Sequence, residues 1–555
     1  MSLEDINFKK KLNNLKDLLN LKKFSQVEKI IESFDKKLSG DPKIQFLYAT
    51  SKAQNPNSSY EDKFNSLDIF INLFEKSSYL PALQNASILS LELNRFSQVL
   101  NLLENTINKI KYDPILFDCI SKIYSQLGDI EKSFNYLKIK IKNEPYDLKA
   151  WSAFIFSYNY LSNFNQKKYL YYTKQFYKKL KKFNSNELVP LKSNLTKKIK
   201  IGFLTPHFTG NSIDPFLLSV VKNIDRENFQ TFGFNLNISN NQSEHLKPFF
   251  DEWHHVNKYK DLELTNYIRE KSLDILIDLV GHGPGNRLNV LKQRVAKKQV
   301  SWLGYCNSTG LSEIDYIISD KYLIHENEEN QYSEKIFKIK SIWNSHIGHN
   351  TSLPINDLPY FKNNYFTFGS FNNFKKISEK TINTWSKILD NSNAKLLLKS
   401  SIGNSSEARE FILKKFPKKF YSENKIIFME GQKDKNEHLK KYNLVDLSLD
   451  TFPYNGVTTS FESIWMGVPI LTIIGNNFIS RCGESIINNL GLNEFISKNE
   501  EEYILKAIDF SNNPDKLNIL RKNLRSLAIK TPLFQSKEYC KDFEKVIYNI
   551  SEKNV

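Results

Sequence analysis

The stretch Leu449-Asp450-Thr451-Phe452-Pro453-Tyr454-Asn455-Gly456-Val457-Thr458-Thr459-Ser460-Phe461-Glu462 is the part of this chain best furnished for chemistry. It reads as a strand end, a tight loop and a helix start. Gly456 lets the backbone come close to a bound group. Thr458 and Thr459 stand where the helix begins, and the free N–H groups and dipole there attract anions. Their hydroxyls add hydrogen bonds to phosphate oxygens. Glu462 lies one turn in, where a carboxylate can accept from ribose hydroxyls. The plainer alternative is a capping box from Thr459 to Glu462, and the loop alone leaves both readings open.

Three further clusters follow apolar runs. Gly369-Ser370-Phe371-Asn372-Asn373-Phe374-Lys375-Lys376 offers Asn373 and a lysine, Lys376, that can neutralise a diphosphate leaving group. A solvated loop lysine is the alternative. Gly431 to Tyr442 opens a helix with His438 and Lys441 on one face; a plain surface histidine is the alternative. Gly281-His282-Gly283-Pro284-Gly285-Asn286-Arg287 reads as a cleft-lining loop through His282, or as an ordinary turn.

The elements that position these residues change character along the chain. Residues 1–185 read as paired helices with apolar residues at three- and four-residue spacing, as in Leu12, Leu15, Leu18 and Leu19. One unit runs from Pro114 to Pro145 with Leu127-Gly128-Asp129 at its turn, and another starts near Pro81. That period is near the ~34 residues of tetratricopeptide repeats. Such pairs bury their apolar faces by stacking, which creates a concave surface. A polar stretch from Asn184 to Asn194 then reads as a linker.

Beyond it, short apolar strands alternate with helices. Residues 196–345 carry strands at Ile199–Leu204, Phe229–Leu236, Leu273–Val280, Gln299–Tyr305 and Asp315–Ile318. Residues 360–555 repeat the pattern at Tyr365–Ser370, Lys395–Lys399, Lys425–Met429, Asp446–Leu449 and Pro469–Ile474. Such strands form parallel sheets covered on both faces. The expected fold is all-α helical repeats followed by an α/β GT-B fold, two Rossmann-like halves with a cleft at the carboxyl ends of their strands. The tail from Pro532 to Ile550 reads as a helix crossing back to the first half.

Composition bounds the partners. Hydrophobic residues make up 40% of the 555 and aromatics 13%, enough for packed cores. The net charge of +17 is spread in short runs such as Lys178-Lys179, which fits a chain-wide bias better than a nucleic-acid-binding block. Cys119, Cys306, Cys482 and Cys540 form no CxxC pair, so free thiols and a cytoplasmic location are expected, with neither a disulfide framework nor a structural metal. No apolar run is long enough to span a membrane.

Residues 196–555 resemble the catalytic region of the O-GlcNAc transferase and SPINDLY family, including bacterial members. The matching text is LVGHGPGNRLNVL, QVSWLGYCNSTGLSEIDYIISD, FTFGSFNNFKKIS, EHLKKYNLVDLSLDTFPYNGVTTSFESIWMGVPILTIIG and SRCGESIINNLGL, in that order. The family also carries N-terminal tetratricopeptide repeats. The resemblance implies an inverting protein O-glycosyltransferase that needs no metal or other cofactor. It would move a sugar, GlcNAc from UDP-GlcNAc in the first instance, to Ser or Thr hydroxyls of an acceptor held by the repeats. GDP-fucose as donor, and a repeat scaffold with a degenerate transferase region, are the alternatives. The repeats also offer a surface for self-association.

The resemblance also assigns roles. Lys376, with Asn373 beside it, matches the lysine at the donor diphosphate. His438 and Lys441 match positions near the nucleotide base. Gly456, Thr458 and Thr459 match the phosphate-binding helix start, and Glu462 the acidic residue at the ribose. Two departures stand out. The family histidine after the first strand aligns with Asn211, and His207 lies four positions earlier. Either is the expected catalytic partner of Lys376 on the facing half. The usual Arg-Pro-Ala-Pro is Arg294-Val295-Ala296-Lys297 here, a change in loop stiffness.

Overall fold

The computed structural model describes residues 3–183, 188–193, 196–210, 212–237, 243–351, 353–432 and 434–552. They form two compact units, one of Met1–Asn143 with Ser405–Glu410, the other of Glu144–Asn404 with Phe411–Val555.

The first unit is built from helix pairs. Asp113 caps the helix Pro114–Leu127, its carboxylate accepting from the N–H groups of Ile115 and Leu116, and Pro114 fills a position that needs no donor. Gly128 ends that helix at φ +84°, a left-handed turn that favours glycine. The chain then returns as Ile130–Asn143. Tyr124, Leu127, Phe134 and Leu137 are buried at the seam. Leu80–Leu93 likewise pairs with Ser97–Ile107, ending at Asn94 in a left-handed turn, and Asp41 caps Pro42–Gln54 as Asp113 caps its helix.

The helical region runs on through Leu148–Tyr158 and Gln166–Leu180, but these last two helices belong to the second unit. Tyr169 donates to the Ser308 carbonyl at 2.8 Å and Gln166 to Asn307 at 2.8 Å. Thr173 lies so close to Gly310 that a β-carbon there would stand 2.4 Å from it.

The second unit contains two parallel sheets. The first holds β1 (Ile199–Thr205), β2 (Phe229–Asn235), β3 (Glu252–His255), β4 (Ile275–Asp278), β5 (Lys298–Ser301), β6 (Tyr316–Ser319) and β7 (Lys335–Lys338), in the order 3-2-1-4-5-6-7. The second holds β8 (Phe366–Ser370), β9 (Ala394–Ser400), β10 (Ile426–Glu430), β11 (Leu447–Leu449), β12 (Ile470–Ile473) and β13 (Ile496–Ser497), in the order 10-9-8-11-12-13. Strand order reverses between β1 and β4 in one half and between β8 and β11 in the other. Ligands bind at such switch points, beyond the carboxyl ends of the strands.

The final helix, Ser536–Glu552, crosses back to the first half as expected. Glu544 accepts from the Asp225 N–H at 2.8 Å, and Phe543 meets Trp302 with ring centroids 4.8 Å apart. The chain therefore passes between the halves twice, and the two passages touch: the His346 N–H and the Ser345 hydroxyl both donate to the Leu533 carbonyl, at 2.8 and 3.1 Å. Elsewhere the halves meet through a two-pronged pair of Arg481 with Glu328, at 2.5 and 2.9 Å, and through Ser485 with Asp320 at 2.6 Å.

Candidate active site

The loops after β8 and β11, on either side of the switch point, are tied together by one lysine. Lys376 ends a single 3-10 turn, Phe374–Lys376. Its Nζ donates to the Asn455 carbonyl at 2.8 Å and lies 4.7 Å from the centre of the Tyr454 ring. Burial lowers its proton affinity, and the charge of Asp450 works against that. Asp450 is itself buried at the end of β11. It accepts from the N–H groups of Thr451 and Gly456 and from the Thr472 hydroxyl, at 2.9, 2.7 and 2.8 Å. Burial nevertheless pushes its carboxyl up to about 6.

Gly456 has no room for a side chain: a β-carbon would stand 2.6 Å from the Thr459 hydroxyl. The chain thus turns tightly into the helix Thr458–Trp465, whose start no side chain caps. Beside it lies a small crevice lined by Gly369, Asn372, Tyr442, Asp450, Thr459 and Ser460. Thr459 donates to Asn372 at 3.1 Å. Thr458 reaches across to the first half and donates to the Ser212 carbonyl at 3.2 Å. The capping-box alternative is not realised, because Glu462 turns away from the helix start. Its Oε2 meets His438 Nε2 at 3.0 Å and the Tyr442 hydroxyl at 3.3 Å.

Two residues that sequence reasoning passed over complete this picture. Lys399, at the carboxyl end of β9, lies against His438 Nδ1 at 2.5 Å. Tyr160, just after the helix Leu148–Tyr158, stacks on Tyr454 with centroids 4.2 Å apart. Neither carries a motif. The only sequence signal for Lys399 is its place at the end of a strand of the second sheet. Lys441 stands near enough to Lys399 to disfavour its charge.

Other expected residues fall elsewhere. Asn373 is exposed and turns its side chain onto the Lys375 N–H at 3.0 Å; its neighbour Asn372 is the one in the crevice. His282 does not line the cleft. It is 1% exposed, held by Ser152 at 3.3 Å and the Thr309 carbonyl at 2.8 Å, with Phe176 and Tyr305 against its ring. The two helices that end the helical region cover that loop, which its glycines alone did not foretell. Asn211 lies outside the described residues. His207, half-buried, donates to the Pro284 carbonyl, and burial lowers its pKa below the usual imidazole value.

Two Rossmann-like halves facing a cleft, with an uncapped helix start and a half-buried lysine at the second half's switch point, define the GT-B fold. The sequence pattern of glycosyl transferase family 41 matches residues 177–354 and 356–543, and the chain belongs to that family. Among curated proteins it is similar to a probable UDP-N-acetylglucosamine–peptide N-acetylglucosaminyltransferase SPINDLY of Eustoma exaltatum subsp. russellianum, 30% identical over 63% of this chain and 38% of that protein. It is similar also to the probable transferase SEC of Arabidopsis thaliana, 26% identical over 64% of this chain and 37% of that protein. The match thus spans about two fifths of those relatives' length. Among solved structures, a mutant of the Thermobaculum terrenum O-GlcNAc transferase has the same fold, with a TM-score of 0.79 and 21% identity over 92% of this chain and 98% of that one. No helix among the described residues is long and apolar enough to cross a membrane.

Proposed function

We propose that the protein transfers GlcNAc from UDP-GlcNAc to Ser or Thr hydroxyls of protein acceptors, with inversion at the anomeric carbon. One observation carries this reading: Lys376 bonds to the Asn455 carbonyl, three residues before the uncapped helix start at Thr458, so a cation and a helix N-terminus are held on one loop. Fixed positive charge and free N–H groups at one point suit a nucleoside diphosphate whose charge grows as it leaves. The relatives named above act, by name, from UDP-N-acetylglucosamine on peptides.

In this reading Thr458, Thr459 and the helix start hold the diphosphate, Glu462 receives the ribose hydroxyls, and His438 and Lys441 flank the base. The acceptor oxygen forms a bond to the anomeric carbon while the bond from that carbon to the phosphate oxygen breaks. The electron pair leaves with UDP, where the ammonium of Lys376 meets it, so no divalent metal is called on. The hydroxyl proton passes to His207. Its lowered pKa keeps that imidazole neutral near pH 7, and its bond to the Pro284 carbonyl uses one nitrogen as donor, so the other can accept. The helical repeats hold the polypeptide acceptor, and the enzyme works in the cytoplasm.

The test is thermal unfolding with UDP, UDP-GlcNAc, GDP and GDP-fucose, followed by transfer of labelled sugar to Ser/Thr peptides. A ligand at 100 times its Kd adds ~2.7 kcal/mol of stability. Stabilisation by the uridine compounds and label on a hydroxyl are expected. Stabilisation by GDP-fucose alone, or binding without transfer to any peptide, overturns the assignment.

A further inference from the structure

Lys399 is 3% exposed, yet neither the phosphate site nor the acceptor side makes use of it. It is the sixth residue of β9, directed at the helix Lys435–Lys440 that carries His438. Its Nζ lies 2.5 Å from His438 Nδ1 and 5.4 Å from the centre of the Phe371 ring. His438 Nε2 faces Glu462 Oε2 at 3.0 Å, and the Tyr442 hydroxyl donates to the same oxygen. Tyr442 in turn packs on Phe371, centroids 4.2 Å apart. A relay of Lys399, His438, Glu462 and Tyr442 thus closes on the aromatic ring that supports the lysine.

The chemistry of the groups sets the proton positions. An ammonium only donates, so Nδ1 of His438 must accept. The neutral ring then carries its proton on Nε2, which donates to Glu462. Burial opposes the charge on Glu462, but the hydrogen bond from His438 holds that carboxyl below its usual range. Oxygen Oε2 is held by His438, with the Tyr442 hydroxyl lying between it, at 3.3 Å, and the Thr459 carbonyl, at 3.1 Å. The other oxygen, Oε1, stays available to a ligand.

We propose that Lys399 is a positioning residue of the nucleotide pocket: by fixing the tautomer and ring plane of His438, it fixes which Glu462 oxygen meets the nucleoside. This rests on the reading of the crevice as the nucleotide site. Without the extra lysine proton the amine can accept as well as donate, so His438 Nδ1 is no longer compelled to be the acceptor and the Nε2–H tautomer facing Glu462 is no longer enforced. The ring then turns and the carboxylate loses its orientation.

The groups around Lys399 agree on a pH window. Burial lowers its pKa from 10.5 to about 8, Glu462 opposes that and Lys441 adds to it, while His438 is its direct hydrogen-bond partner. The protonated form orients the pocket, so nucleotide affinity falls as pH rises through about 8. Nucleotide phosphates are fully ionised well below that, with a second pKa of about 6.

The test is calorimetric titration of the full chain with UDP between pH 6.5 and 9.5, with transfer kinetics alongside. Lys399→Met is expected to raise the Kd for UDP and the donor KM about tenfold at pH 7, as for loss of one well-placed hydrogen bond, with kcat at saturating donor held within about twofold. Lys399→Arg keeps the charge and the donor and is expected to bind as wild type at pH 7 and to lose the alkaline limb. That arm also separates the two lysines, since a limb caused by Lys376 persists in Lys399→Arg. Equal UDP affinity of Lys399→Met and wild type at pH 7, or parallel alkaline loss in wild type and Lys399→Arg, overturns the proposal. If wild type binds neither UDP nor GDP, the reading of the crevice fails and the proposal falls with it. The wild-type and arginine arms decide the matter even where the methionine variant does not fold.

Discussion

Replacing Lys376 by alanine removes the group that joins the two loops at the switch point. Three interactions go with it: the bond to the Asn455 carbonyl at 2.8 Å, the contact with the Tyr454 ring at 4.7 Å and the attraction to Asp450. None anchors an element of the core, so the fold should survive. The chemical loss is larger. A preorganised donor aimed at developing negative charge is worth about 3–4 kcal/mol, a few hundred-fold in rate. Asp450 supplies an internal check. Burial already holds its carboxyl at about 6, and the Lys376 charge is one of the influences lowering it. Without that charge Asp450 titrates higher, closer to neutrality. The sign for wild type follows from burial of the lysine: its cation is the active form, so kcat falls with rising pH, and does so at lower pH than an ordinary lysine would dictate. The assay is transfer of labelled GlcNAc to a Ser/Thr peptide at saturating donor, from pH 6 to 10, with melting temperature as the control. A Lys376→Ala rate within about threefold of wild type, in a folded protein, refutes the role given to this lysine.

Three further outcomes are expected. Tyr160→Ala removes the ring that backs Tyr454, worth about 0.5–1.5 kcal/mol beyond area, and should lower kcat up to about tenfold with donor KM unchanged, while Tyr160→Phe restores it; an unchanged kcat in the alanine variant shows that Tyr454 stands without this support. His282, held near pKa 4 by burial, stays neutral in the fold, whereas the unfolded chain protonates it near 6.5; its contribution is present above about 6.5 and is lost as pH falls toward 4, roughly 3 kcal/mol in all. Buried carboxyls such as Asp278, raised to about 6, work with the opposite sign, so the quantity to measure is the difference in urea unfolding between wild type and His282→Gln across that range, and a pH-independent difference rules the account out. A chain beginning at Glu144 should bind UDP as the full chain does, whereas one beginning at Ser193 loses the helices over Tyr305, Asn307 and His282 and should show no cooperative melting; normal melting of the shorter chain contradicts this.

Much of the second unit could be read from the sequence, because a buried parallel strand followed by a loop and a helix announces itself locally. Ile199–Leu204 and Tyr365–Ser370 are short runs dominated by apolar and aromatic residues, and they correspond to β1 and β8. The edge strands Glu252–His255 and Lys335–Lys338 escaped because they are short, polar and half-exposed. The helical spacing alone makes residues 1–185 one array. Nothing in the helical spacing of Leu148–Tyr158 shows that its buried face meets the first sheet rather than another repeat. His282 was misplaced for the same reason, since its cover comes from residues 130 positions earlier. The Thr458–Glu462 text was ambiguous between an anion site and a capping box. Only the partner His438, brought in by another helix, decides where the carboxylate turns. Lys399 lay at the end of a recognised strand, but its meaning depends on a side chain 39 residues away.

The two passages of the chain between the halves, joined at Leu533, have a mechanical consequence. Two adjacent crossings set the place, near Ser345 and His346, about which a rotation of one half against the other would turn. Opening the halves by such a rotation would work against the contacts that join them, Thr458 with Ser212, Arg481 with Glu328 and Ser485 with Asp320. Arg481 is 5% exposed, and breaking such a pair leaves a buried charge uncompensated, at a cost of about 3–5 kcal/mol. The Arg481 pair therefore behaves as a latch opposing that rotation. Because Arg481 immediately precedes the helix Cys482–Leu490, whose Gly483 N–H donates to Asn455, latch and lysine bear on the same loop. Opening far enough to release a nucleotide would then loosen, in one movement, the carbonyl on which Lys376 rests.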